Sequence, residues 1–241
     1  YAFNQHVGTW DTSSAEAMDW MFAYCEVFNK SLTGFTTSEV INMEYMFYHA
    51  SKFNLKLSKW DVSKVVNTSS MFRHANRFNQ SLNNWSTNNV ITMSYMFFGA
   101  SNFNNYISSF IVSNVTDMSN LFALASSFNQ DIGGWDVSNV TDMHALFAGA
   151  TDFNQNIGGW DVSNVTDMTF LFYDLYSSAK FNQDIGAWNV SSVTDMSYMF
   201  AGASNFTQDL SEWNVSSVLT ALNMFMGCPV TYTMRFVNIP E

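Results

Sequence analysis

The pair Phe-Asn returns along this 241-residue chain at Phe3, Phe28, Phe53, Phe78, Phe103, Phe128, Phe153 and Phe181, and Phe206 follows with Thr207 in the Asn place. Every step is 25 residues except the 28 between Phe153 and Phe181. Seven residues after each Phe stands a second ring: Trp10, Phe35, Trp60, Trp85, Phe110, Trp135, Trp160, Trp188 and Trp213. A fixed period of this length means units that cannot bury an apolar face alone and must stack on their neighbours. Of the 23 Phe and 15 Met, 18 and 13 respectively fall at two phases of the repeat, which marks them as core; a cofactor box or base-stacking platform would use such residues once or twice.

One unit, Phe128–Phe153, reads FNQDIGGWDVSNVTDMHALFAGATDF. The alternation over Trp135–Val137, after Ile132, predicts a short strand with Trp135 and Val137 inward and Asp136 outward. Gly133 and Gly134 read as a turn. Val140, Met143, Leu146, Phe147 and Ala150 then recur at spacings of three and four, which predicts a helix capped by Thr141 or Asp142. The expected fold is therefore an α/β repeat solenoid of about nine turns, with a short parallel sheet on one face and short helices on the other. The Asn after each Phe, Asn4 to Asn182, reads as a buried ladder that satisfies backbone polar groups between turns. A single such domain is expected over residues 1–241, cut from a longer chain. The stretch Pro229–Glu241, with Val230, Tyr232, Met234 and Phe236, reads as a C-terminal cap.

Net charge is −11, which argues against nucleic acid, because phosphate binding needs a basic surface. The charge is uneven: seven of nine Lys and Arg lie between Lys30 and Arg77, whereas Asp117–Glu212 holds twelve acids and one base, Lys180. No run of about 18 apolar residues marks a membrane span, and no signal peptide is visible. Cys25 and Cys228 both occupy a small-residue phase, in the first and last units. With turns rising ~4.8 Å they lie on the order of 38 Å apart, beyond the reach of a disulfide.

The strings FNQDIGGWDVSNVTDM (Phe128–Met143) and FNQDIGAWNVSSVTDMSYMFAGA (Phe181–Ala203) resemble the bacterial surface protein repeat family of mycoplasma lipoproteins, and also the BspA-like leucine-rich repeats. The resemblance spans the whole chain. It implies a leucine-rich-repeat-like coil, an extracellular or cell-surface location, and adhesion or recognition in place of catalysis. It brings no catalytic residues. The first three units depart most from the pattern.

The residue after the Trp forms an outward row that includes Asp61, Asp136, Asp161, Asn189 and Asn214, with Ser138 and Ser163 among the serines two positions on. Such a strip either solvates and caps the turns or binds proteins or glycans, and solenoids commonly bind on this face. A second column, Asp117, Asp142, Asp167 and Asp195, would stack like charges over four turns, to be relieved by helix N-termini or bridged by Ca²⁺. Its spacing matches no EF-hand or glycine-rich calcium nonapeptide. Asn114, Asn139 and Asn164 head sequons, which an Asn/Ser/Thr-rich repeat generates by composition alone and which could carry sugar in a eukaryotic source. The insertion in Tyr173–Lys180 offers Tyr173 and Tyr176 as a contact site or as an inert bulge. His49 and His74 share a phase but lack a third ligand for zinc. No nucleophile–His–acid set or phosphate loop appears, so no enzyme and no cofactor are expected. The expected role is an extracellular recognition or adhesion module for a protein or glycan on a cell or particle surface. The rival is self-association as a structural subunit of a fibre, sheath or virion surface layer.

Overall fold

In the computed structural model, which describes residues 2–230, the expected helix over Val140–Ala150 is a run of linked turns. Leu146 N donates to Met143 O at 3.1 Å, Ala148 N to Ala145 O at 3.1 Å, and Ala150 N to Phe147 O at 3.0 Å. Ala145 (φ 52°) and Gly149 (φ 66°) are left-handed. Positive φ at only the third residue is the type II turn arrangement. Left-handed pairs recur at Tyr45 and His49, Ser70 and His74, Asn120 and Leu124, and Tyr198 and Gly202. A left-handed residue at every fourth position stops an α-helix from propagating.

That alternation also redirects the backbone donors. The N–H groups of Met143, Ala145, Phe147 and Gly149 point along the stack to the carbonyls of Asp167, Thr169, Leu171 and Tyr173 in the following repeat, at 2.7–3.1 Å. Thr141 N donates backward to Thr116 O at 2.9 Å. Each repeat thus satisfies its neighbour's backbone.

The α/β repeat solenoid is overturned, and with it the leucine-rich-repeat-like geometry. Among the described residues there is no helix and no strand, only isolated parallel bridges of one residue each, from Ala17–Asn42 through Asp117–Asp142 to Asp195–Thr220. The bridges run through the Asp142 column and not through Trp135–Val137. In linked turns the first and fourth residues both face inward, so apolar side chains fall three and four apart as they do on a helix. Met143, Leu146, Phe147 and Ala150 are all buried on this pattern.

Inside, like residues form columns. Phe28, Phe53, Phe78, Phe103 and Phe128 stack with centroids 5.9–6.1 Å apart. A second column runs beside it, with Phe122 only 3.9 Å from Phe128. Offset-stacked rings add roughly 0.5–1.5 kcal/mol per pair beyond their burial. The tryptophans carry a polar tie as well: Nε1 of Trp85, Trp135, Trp160, Trp188 and Trp213 donates to a carbonyl of the preceding repeat at 3.1–3.4 Å. Trp10, with no described repeat before it, is 46% exposed.

The Asn ladder is present at a half-buried edge and not in the interior. Oδ1 of Asn104, Asn129 and Asn154 accepts the N–H of the next Asn in turn, at 2.9–3.0 Å. Nε2 of Gln130, Gln155, Gln183 and Gln208 reaches the same row of oxygens. Cys25 and Cys228 are free thiols. Of the expected cap, only Pro229 and Val230 are described; Tyr232, Met234 and Phe236 lie outside the described residues.

Candidate functional site

The outward polar row is bound into its own turns. Oδ1 of Asp136 accepts Ser138 N (3.2 Å) and Ser138 Oγ (2.6 Å). Asp61 and Asp161 accept from Ser63 and Ser163, and Asn189 and Asn214 from Ser191 and Ser216, in the same way. These are Asx turns, in which a side chain caps the backbone two residues on. The serine hydroxyl, then its N–H, holds the Asp61 and Asp161 carboxyls below the usual carboxylate range. Beside this row, Nδ2 of Asn114, Asn139 and Asn164 donates at 2.7 Å to Asn88 O, Ser113 O and Ser138 O of the preceding repeat. The nitrogen a glycan would take is already an inter-repeat tie.

Asp117, Asp142, Asp167 and Asp195 stand at the parallel bridges, half-buried. With no helix among the described residues, no helix N-terminus there neutralises them. Each Oδ1 accepts an N–H two residues on, from Ser119, His144, Thr169 and Ser197, all at 2.8 Å. Burial, then the charges of Asp117 and Asp167, push the Asp142 carboxyl up, against the His144 N–H. Among the described residues no three His, Cys, Asp or Glu side chains gather where they could hold a metal ion.

The turn face differs. Its left-handed positions and their neighbours carry Tyr45, Tyr48, His49, Arg73, His74, Tyr95 and Phe98 on adjacent repeats, all half-buried. Tyr45 meets Tyr48 edge-on at 5.4 Å, and the His49 and His74 rings lie 4.5 Å apart. The Arg73 guanidinium sits 4.7 Å from the Tyr95 ring, 4.8 Å from Phe98 and 5.6 Å from Tyr48, a cation fixed among three π faces. Arg73 Nε is buried with no hydrogen-bond partner among the described residues. Burial, then the Arg73 charge, lowers the His49 imidazole; burial, then His49 and Arg73, lowers His74. The sequence points for binding to the polar row and to Tyr173 and Tyr176, and not to this patch. The signal was there: Tyr45, Tyr48, Tyr95 and Phe98 stand in columns that hold Ala145, Ala148 and Ala201 in later repeats.

Tyr173 and Tyr176 share this face, farther along. Tyr173 is half-buried against Phe170, and Tyr176 is exposed. The insertion is not a slack bulge: the carboxylate of Asp174, itself buried, accepts N–H groups from Tyr176, Ser178 and Ala179.

Among the described residues no helix is long and apolar enough to cross a membrane. No curated protein matches the chain. The kinship with leucine-rich repeats is not shown, but the kinship with a mycoplasma repeat family is. Three overlapping stretches, residues 1–110, 75–179 and 175–233, match the family described as "Mycoplasma protein of unknown function, DUF285", and the chain belongs to that family.

Proposed function

We propose that the chain is a non-enzymatic recognition module on a cell or particle surface, and that it binds an acidic glycan through the patch between Tyr45 and Phe98. The observation that carries this reading is Arg73, held over three rings with an unpartnered Nε. Ring faces suit the C–H faces of sugars, and a fixed guanidinium suits a carboxylate or sulfate. Arg73 belongs to the basic section Lys30–Arg77 of the sequence, whereas the polar row spends its carboxylates on its own turns. The resemblance to mycoplasma surface lipoproteins supports an extracellular setting.

A glycan array, run with and without calcium, tests this. Binding of acidic glycans by the wild type, weakened about tenfold in Arg73→Gln and kept in Asp136→Asn/Asp161→Asn, is the expected result. Loss in the double variant alone would return the ligand to the polar row.

A structural subunit is the second reading, and the uneven charge along the stack favours it, since a basic section on one copy attracts an acidic section on another. Light scattering separates the two. Ordered polymers that dissolve with salt support the subunit, and a monomer at low salt goes against it.

A further inference from the structure

We propose that the groove on the turn face between Phe98 and Tyr176 binds a small neutral aromatic ligand that carries a carbonyl acceptor. The groove holds about 470 Å³, within the range of small-ligand sites. It exists because bulk is missing: Ala123 and Ala148 stand in the column where other repeats carry Tyr48, Arg73, Phe98 and Tyr173. Phe98 and Leu124 line one side, and the insertion supplies Tyr173, Leu175 and Tyr176 on the other.

That second wall is fixed. Besides the three N–H groups on Asp174, Ser204 Oγ donates to Ser177 O at 2.8 Å and Asn205 Nδ2 to Ala179 O at 2.7 Å. Gly202 (φ 78°) lies flush beneath, where a Cβ would collide with the Asp174 carbonyl oxygen. Yet the loop so held presents Leu175 at 66% and Tyr176 at 80% exposure. Apolar side chains held exposed on an ordered loop are pre-organised for a partner.

Asn120 supplies the polar mark. It lines the groove at 7% exposure, and its Nδ2 is buried with no hydrogen-bond partner among the described residues. An unmet buried donor is costly and is relieved by an acceptor on the ligand. The one ionisable acid lining the groove, Asp174, is fully engaged by backbone, so nothing there calls for a charged ligand, and the acidic surroundings repel anions.

Acetophenone is the probe, with ethylbenzene as the shape-matched compound lacking the acceptor and benzoate as the anion. Methyl NMR of leucine-labelled protein reads Leu124 and Leu175. Acetophenone is expected to shift both methyls saturably at millimolar concentration, and benzoate is not. Ala148→Phe, which gives this repeat the residue Phe98 already provides in its own, is expected to abolish the shifts at an unchanged melting temperature. Tyr176→Ser, on an exposed side chain that cannot unfold the stack, is expected to weaken them. Asn120→Ala, matching Ala145 in the next repeat, is expected to weaken acetophenone about tenfold and leave ethylbenzene unchanged. No saturable shift, shifts that persist in Ala148→Phe or Tyr176→Ser, or equal affinity for acetophenone and ethylbenzene would overturn the proposal. Ala148→Phe leaves Tyr45, Tyr48 and Arg73 in place, so this titration and the glycan array succeed or fail separately.

Discussion

Asp136 and Tyr48 both point outward from equivalent stacked units, yet only the first is used to close a turn. The Asp136 carboxylate caps Ser138 and completes a turn, and its neighbour Asn139 ties one repeat to the last. The Tyr48 ring closes no turn and meets other side chains: Trp20, Tyr24, Tyr45, His49 and the Arg73 guanidinium. A periodic row of polar residues is thus no evidence of a binding strip when the same groups close the turns that generate the period. The place to look for binding is where side chains depart from the repeat.

The largest expected effect breaks the structural side of this contrast. In Asn129→Ala, Asn154 N–H loses its acceptor and Gln155 Nε2 keeps only the Asn129 backbone carbonyl, and urea unfolding is expected to show a loss of about 2 kcal/mol, with glycan binding intact. Equal stability with weakened binding would reverse the roles of the two regions. Next, Arg73→Gln is expected to weaken glycan binding about tenfold, close to 1.4 kcal/mol, while stability falls by less than that.

Smaller effects come from titration. The His74 imidazole is lowered below 6.5, so the unfolded chain binds its proton first, and stability is lost as pH falls from 6.5 through the folded value. His74→Asn, with a residue that tolerates the left-handed φ of 57°, is expected to flatten that slope by a few tenths of a kcal/mol, since the site is partly solvated. A slope unchanged between pH 7 and 5 would remove His74 from the patch electrostatics. Smallest of all, Asp142→Asn keeps the bond to His144 N–H, as Asn42 and Asn67 do in their repeats, and removes a like charge. The Asp142 carboxyl is raised above 3.8, so its cost is present at neutral pH and disappears at low pH. A slight gain in melting temperature at pH 7, absent at pH 3, is the expected sign.

Stacking, the inward columns and the existence of the Asn ladder were legible in the sequence because each depends only on the period, whereas the ladder's place at a half-buried edge was not. Met143, Leu146, Phe147 and Ala150 misled because linked turns and a helix place apolar residues at the same spacings. What separates them is φ at Ala145, and alanine is the best helix former of all, so its identity hides a left-handed backbone. The tryptophan ties were also out of reach, since Nε1 meets a carbonyl 28 residues earlier only once the stack exists. For the site, the insertion was readable as a loop. The groove beside it needed the Ala123 and Ala148 columns laid in space next to Phe98 and Tyr173.

Ala145→Gly tests the turn-built stack most directly, because the two backbones give opposite signs. At φ 52° glycine relieves a left-handed strain, and equilibrium unfolding is expected to show a gain approaching 1 kcal/mol. A loss of about 1 kcal/mol, the ordinary result in the middle of a helix, would contradict it.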